Sequence, residues 1–318
     1  MHWFSEGREY YARKWFTGML KAHPGRWRLF DSQISSAALF SAQDVIDRVA
    51  VIICCGGSDG PFAPGFVGEN LADAAVVGAP FTAPNAYAIY EAAKAIDSGQ
   101  GVLLIYNNFM GDYLNNDMAE ELLRLEGHRA IQIPVHDDMG MARGESRENR
   151  GGRSGSALIT RIAGAASRAG LSLDELAALL QKANDRMSTL CVSVDTETNT
   201  VTFGKGFSDE PGFETLNIGM SETAEETIRL LTEDLSPKPD EQVLLMVNPL
   251  RLAGYDEAYV MGNYLYDSLS AKYNILRMNV GAYIHILDGY GFTITLLCAD
   301  SELQKYLQGD IHGDGFMI

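Results

Sequence analysis

The apolar residues of this chain fall into two kinds of pattern. Two stretches are unbroken: 49–55 (VAVIICC) and 102–106 (VLLIY) contain no polar position. Runs of that length and composition predict strands covered on both faces, as in a parallel sheet. Other stretches space their apolar residues at helical intervals. A first helix is predicted over 9–22, stopped by His23-Pro24-Gly25, and a second over 86–96, ending near Gly99. A short strand at 74–77, a helix over about 116–126 closed by Gly127, and a strand at 130–135 complete an alternation of strand and helix. That alternation is the signature of βαβ units. Helices are predicted over 157–169 and, after a Ser172 cap, over 174–186. At 188–203 the period switches to two, with VSVD and TVTF flanking a Thr-Glu-Thr-Asn turn. A second domain is therefore expected to begin near Met187, giving domains 1–186 and 187–318. It carries a helix over 223–232, a Pro-rich break at 236–239, a strand at 243–247, a helix over 257–272 and a strand at 293–298. The fold class is α/β, two domains each with a largely parallel or mixed sheet flanked by helices.

Parallel strands align their carboxyl ends, and open α/β sheets bind ligands at that edge. Three polar segments are expected there: Gly56-Gly57-Ser58-Asp59-Gly60, the turn from Asn107 to Asp112, and His136-Asp137-Asp138. Glycines after a strand let the backbone turn sharply and offer amide groups to a hydroxyl or phosphate. With the next helix starting near Asn115 or Asn116, Asp112 falls in the turn. It is either a carboxylate for proton transfer or an ordinary turn or capping residue. Residues 143–156 (RGESRENRGGRSGS) read as an exposed loop whose arginines could also hold an anion.

Composition narrows the function classes. The 318 residues carry a net charge of −17, which argues against a nucleic-acid partner. The hydrophobic fraction of 46% suffices for a full core. Four cysteines, two of them the adjacent Cys54 and Cys55, form no CxxC pair and no metal-ligand spacing. No apolar run reaches the roughly 18 residues of a membrane span, and the first residues lack a signal core, so a cytoplasmic protein without membrane contact is expected. Neither GxGxxG nor GxxxxGK[ST] occurs, so no nucleotide cofactor is expected on this chain.

Five blocks in order carry a resemblance over most of the chain, from about Ala22 to Leu303: GGSDGPFAPGFVGENLADAAVVG, GVLLIYNNFMGDYLNNDMAEEL, NRGGRSGSALITRIAGAAS, GFSDEPGFE and VGAYIHILDGYGFTITLL. The chain resembles the substrate-binding, DhaK-type subunit of dihydroxyacetone kinase. The resemblance implies a cytoplasmic homodimer of two α/β domains, a substrate site between the domains, and no bound ATP. It implies that a separate DhaL-like subunit carries the nucleotide or is recharged by a phosphoprotein. It implies Asp112 and Asp59 as catalytic residues, Gly56, Gly57, Ser58, Asn107 and Ser208 as substrate-binding ones, and no metal.

The departures from the family pattern concern chemistry. In the family a Gly-Ile-His-x-Glu-Pro-Gly motif supplies the histidine that adds to the substrate's ketone carbon; at 206–212 (GFSDEPG) Ser208 holds that position. The family's first glycine motif is followed by His-Glu-Pro-x-His, whereas Asp59-Gly60-Pro61-Phe62-Ala63-Pro64 is one residue shorter. No histidine lies between His23 and His128, and the family's lysine before the Gly-Asp turn is Asn107. A serine hydroxyl is a poor nucleophile without an adjacent base, so covalent capture of dihydroxyacetone by the family's route is expected to be absent. Asp59 stands either as a replacement proton carrier or as a turn cap. Of the remaining histidines, His136 and His285 are the two placed to approach a site. Three readings stay open: a kinase subunit acting on a small polyol or ketose-like ligand; a non-catalytic ligand sensor or coactivator paired with a transcription regulator; and a relict binding module.

Overall fold

The two unbroken apolar runs become adjacent strands at the centre of one sheet, with every residue buried. The structure is a computed structural model that describes residues 7, 10–30, 36–205, 211–285 and 289–308. The described chain divides into two compact units, and it passes between them more than once. Residues up to Val135 together with Ser156–Gln181 form the first, and His136–Gly155 with Lys182–Gln308 form the second.

In the first unit the elements run α1 (Tyr11–Ala22), β1 (Trp27–Phe30), β2 (Ala37–Ser41), β3 (Ala50–Cys55), β4 (Ala74–Val77), α2 (Ala86–Ile96), β5 (Val102–Asn107), α3 (Met110–Leu125), β6 (Ala130–Val135), α4 (Gly155–Arg168) and α5 (Leu173–Asp185). The sheet order is β1-β2-β4-β3-β5-β6. Pairs β3/β4, β3/β5 and β5/β6 are parallel, as the alternation predicts, while β1 and β2 add antiparallel pairs and make the sheet mixed. Even-numbered strand residues Ile52, Cys54, Leu104 and Tyr106 pack with Ile89, Ala93, Ala119 and Leu123 of α2 and α3. That packing closes one face of the sheet, and burying a large aliphatic side chain contributes about 1.5–3 kcal/mol. The neighbouring strand residues are equally buried, because a parallel strand needs cover on both faces.

One boundary differs in a way that matters. Helix α3 begins at Met110, five or six residues before the predicted start. Extended Phe109 (φ −112°, ψ 149°) ends the strand segment, and Tyr113 N–H donates to its carbonyl (2.9 Å), so Gly111 lies inside the first turn. Glycine is a poor helix former, which is why the sequence reads there as a turn. Asp112 therefore sits on the first turn of a helix rather than in a loop ahead of one.

The second unit contains β7 (Met187–Asp195), β8 (Thr200–Lys205), β9 (Pro211–Leu216), α6 (Met220–Leu235), β10 (Gln242–Pro249), α7 (Tyr255–Ser270), β11 (Ile275–Val280), β12 (Gly291–Ala299) and α8 (Ser301–Gln304). The sheet order is β11-β10-β12-β7-β8-β9, antiparallel except for β10/β11. Its faces differ. Leu190, Val192, Ile294 and Leu296 face α6 and α7 in an apolar core. The alternate residues Thr189, Thr293 and Thr295 join Ser154 in a buried hydroxyl cluster, with Thr189 to Thr295 at 2.7 Å and Ser154 to each of Thr293 and Thr295 at 2.9 Å.

The cluster corrects the reading of residues 143–156 as an exposed loop over its second half; at 143–149 all but the half-buried Arg147 are exposed. Residues 150–156 are buried. Arg153 ion-pairs with Asp138 at 2.8 Å, and Arg150 with Asp234 at 2.7 Å. Arginine is normally a surface residue and is buried only when paired. Here the partners are carboxylates of the same unit. Among the described residues no helix is long and apolar enough to cross a membrane.

Candidate functional site

The carboxyl edge of the first unit's sheet is assembled from three segments. Strand β3 ends at Cys55 and continues into Gly56-Gly57, which run against the chain leaving β4. Gly57 N–H donates to the Ala79 carbonyl (3.1 Å) and Gly78 N–H to the Cys55 carbonyl (3.0 Å). A Cβ on Gly57 would lie 2.6 Å from the Gly78 carbonyl oxygen, so only glycine permits this approach. Beyond it, Ser58 Oγ donates to Asp59 Oδ1 (3.2 Å) and accepts from Phe81 N–H (3.4 Å). The second segment is the end of β5 with the first turn of α3; the third is the start of α4, which supplies Ser156.

Asp112 is 9% exposed, and its Oδ1 has no hydrogen-bond partner among the described residues. Burial, and then the like charge of Asp59, pushes its carboxyl up to about 8. The position on the first turn of α3 works the other way, because unsatisfied amides at a helix N-terminus favour an anion. Burial is the larger effect, so the carboxyl holds its proton at neutral pH and releases it slightly above. Cys54 lies close enough to feel Asp112, and Cys55 to feel both Asp59 and Asp112. Burial first, and these charges second, hold both thiols well above their usual range, so they are inert core residues.

Two further groups share this edge. Asn107 is buried; its Oδ1 accepts the Ser156 hydroxyl, which fixes the amide orientation and leaves the Nδ2 donors without a partner among the described residues. Asn116, one turn after Asp112, donates from Nδ2 to the Asp112 carbonyl (2.8 Å), and its buried Oδ1 is likewise unpartnered. An unpaired buried donor or acceptor costs about 1–3 kcal/mol, so Asn107 Nδ2, Asn116 Oδ1 and Asp112 Oδ1 together are a costly arrangement along one sheet edge. Neither Ser156 nor Asn116 was singled out from the sequence. An i,i+4 relation to Asp112 would have found Asn116 once the helix start was known; nothing marked Ser156.

The predicted residues thus divide. Gly56, Gly57, Ser58, Asp59, Asn107 and Asp112 all belong to the carboxyl edge of the first sheet. Ser208 lies outside the described residues. Asp137 and Asp138 are committed to structure in the second unit: Asp137 accepts from Arg153 N–H (2.6 Å), Gly155 N–H (2.9 Å) and the Thr189 hydroxyl, and Asp138 pairs with Arg153. His136 and His285 belong to the second unit too, and burial, the main cause for each, holds both imidazoles below their ordinary pKa. Among the described residues no group of three His, Cys, Asp or Glu side chains is arranged to hold a metal ion.

Comparison with known proteins places this edge in context. The Dak1 domain model matches residues 17–313. The dihydroxyacetone-binding subunit DhaK of a PTS-dependent dihydroxyacetone kinase from Lactococcus lactis is 31% identical over 280 residues, covering 83% of this chain and 84% of that protein. A solved structure described as regulation of the dha operon of Lactococcus lactis superposes with a TM-score of 0.85 at 25% identity, covering 93% of this chain and 92% of the other. A dihydroxyacetone kinase operon co-activator, DhaQ, shares the fold with a TM-score of 0.84 at 24% identity, covering 93% and 95%. The chain belongs to the dihydroxyacetone kinase family, as a subunit of the DhaK type.

Proposed function

We propose that this chain is the substrate-binding subunit of a cytoplasmic phosphotransferase, acting on a small hydroxylated compound with a phosphoryl donor carried by a separate subunit. The observation that carries this reading is Asp112. A buried carboxyl with one oxygen unpartnered among the described residues, its pKa pushed up to about 8, is in its ionised form a stronger base than an exposed aspartate; near and above pH 8 that form can take the proton of a substrate hydroxyl as the oxygen attacks phosphorus. Asn107 Nδ2, held in place by Ser156, supplies a neutral donor to a substrate oxygen. Asp59 adds to the effect of burial on the Asp112 pKa through its charge and is the second proton carrier. Ser208 contributes at most a hydroxyl contact, so an uncharged polyol bound through hydrogen bonds fits better than a ketone held covalently.

The donor is ATP or a phosphoprotein on a DhaL-like partner, in keeping with the missing nucleotide motifs. The test is phosphoryl transfer from ATP in the presence of a dihydroxyacetone kinase nucleotide subunit, across short polyols, ketoses and hydroxy acids. Transfer to a panel member is expected to fall about 10²–10⁴-fold in Asp112→Asn, the range for loss of a general base. No transfer to any panel member by a folded protein would sink the catalytic reading.

A second reading has its own support. The site lacks the family's two histidines and its lysine, and a co-activator shares the fold. A ligand sensor that contacts a transcription regulator is then the function. Ligand-dependent thermal stabilisation without transfer distinguishes it.

A further inference from the structure

The segment joining β4 to α2 also reaches the carboxyl edge, and its tip breaks a rule of turn chemistry. Ala79-Pro80-Phe81-Thr82 is a tight turn closed by Thr82 N–H donating to the Ala79 carbonyl (3.0 Å). Proline is ordinary at the second position of such a turn. Phe81, at the third, has φ +58°, the left-handed region that turns fill with glycine or asparagine. Among the described residues the other non-glycine positions with left-handed φ are Asp47, Asn70, Ala142, Asn199 and Ser236, all small or polar. A bulky side chain there costs free energy that its packing must offset. Phe81 is 63% exposed, so its ring gains little from burial within the chain.

The turn is fastened to the site's own segments. Gly57 N–H donates to the Ala79 carbonyl (3.1 Å), and a Cβ on Gly56 would lie 3.4 Å from the Thr82 carbonyl oxygen. Phe81 N–H donates to Ser58 Oγ (3.4 Å), the hydroxyl that itself donates to Asp59 (3.2 Å). On the other side the Ala83 Cβ is 3.5 Å from a Cβ placed on Gly111, the residue before Asp112. The turn therefore bridges the glycine segment and the first turn of α3.

We infer that Phe81 is a ligand-contacting residue, its ring covering the C–H face of the compound bound at this edge while Asn107 and Asp112 take its hydroxyls. The inference rests on the reading that a small hydroxylated compound binds there. Two arguments select that role. A local rule broken without a return inside the fold marks a functional position, and here the break falls on the segment that joins two parts of the site. Small-molecule sites also set a few polar groups against an apolar or aromatic wall. Ser58, Asp59, Asn107 and Asp112 are the polar groups, and Phe81 supplies the aromatic surface.

The test is calorimetric titration of the full chain with the same panel, glycerol, erythritol and dihydroxyacetone among its members. Phe81→Gly removes the ring and relieves the left-handed backbone, Phe81→Ala removes the ring alone, and Phe81→Tyr keeps it. For the panel member that the parent binds, the dissociation constant is expected to rise about tenfold or more in the glycine and alanine variants and to stay within about threefold in the tyrosine variant. Glycine adopts positive φ without penalty, so the melting temperature of Phe81→Gly should equal or exceed that of the parent. Unchanged affinity in Phe81→Gly overturns the contact and leaves the functional reading standing. A Phe81→Gly protein that melts well below its parent makes the ring a packing residue and overturns the inference as well. A parent protein that binds no panel member overturns both readings.

Discussion

Two buried aspartates, one in each unit, carry opposite lessons. Asp137 has no solvent exposure, and its carboxylate accepts two backbone amides and a threonine hydroxyl. Asp112 is nearly as buried, yet one carboxyl oxygen has no partner among the described residues and its nearest ionisable influence is another acid. A carboxylate given enough donors fastens the chain around it. One deprived of them holds a proton at neutral pH. Burial is common to both; the donors supplied by the neighbours decide which carboxylate is fastened into the scaffold and which is left unsatisfied.

Substitution should separate them by sign. Asp137→Ala leaves the Arg153 and Gly155 amides and the Thr189 hydroxyl without their acceptor beneath a closed segment. A loss of about 4 kcal/mol in denaturant unfolding is expected. A loss under about 1 kcal/mol would contradict the scaffold role.

Asp112→Asn should move stability the other way. The unfolded chain releases this proton near pH 3.8 and the folded protein near 8, so the folded state binds more protons throughout that window. Stability of the parent protein therefore falls as pH rises from about 4 to 8, is flat above, and carries no such penalty below 4. Asparagine cannot ionise and escapes the penalty. At pH 9 the variant is expected to be more stable by several kcal/mol, with the two proteins matching near pH 4. A variant less stable than its parent at both pH values would show that Asp112 is held by contacts like those of Asp137.

The same contrast explains what was legible in the sequence. The strands 49–55 and 102–106 were readable because a strand covered on both faces needs no polar residue, and the placement of Asp59, Asn107 and Asp112 at one sheet edge followed from topology. Strands β9 and β11 were not foreseen; they are outer strands with mixed, half-exposed positions, where period-two patterning is weak. Arg150 and Arg153 read as loop residues because each carboxylate partner had to be brought in by the fold, in one case from Asp234, 84 residues away. Asn116 was hidden behind the helix start, since Gly111 and the asparagines around it resemble a turn. Donor counts are the least legible feature of all. Nothing in the strings around Asp112 and Asp137 tells which one is satisfied.

Ser156 offers the smallest and most specific probe of the unsatisfied edge. Its hydroxyl holds Asn107 Oδ1, and through that bond the free Nδ2 donors are kept aimed away from α4. Ser156→Ala removes one buried hydrogen bond and should cost about 1 kcal/mol of stability. The amide is then free to rotate and offer its oxygen where the substrate needs a donor. On the proposed role, in which Asn107 orients substrate rather than moving a proton, KM is expected to rise several-fold while kcat stays within about twofold, the split that marks lost uniform binding. An equal fall in kcat and kcat/KM would instead place Asn107 against the reacting oxygen in the transition state, making the amide part of the chemistry proposed for Asp112.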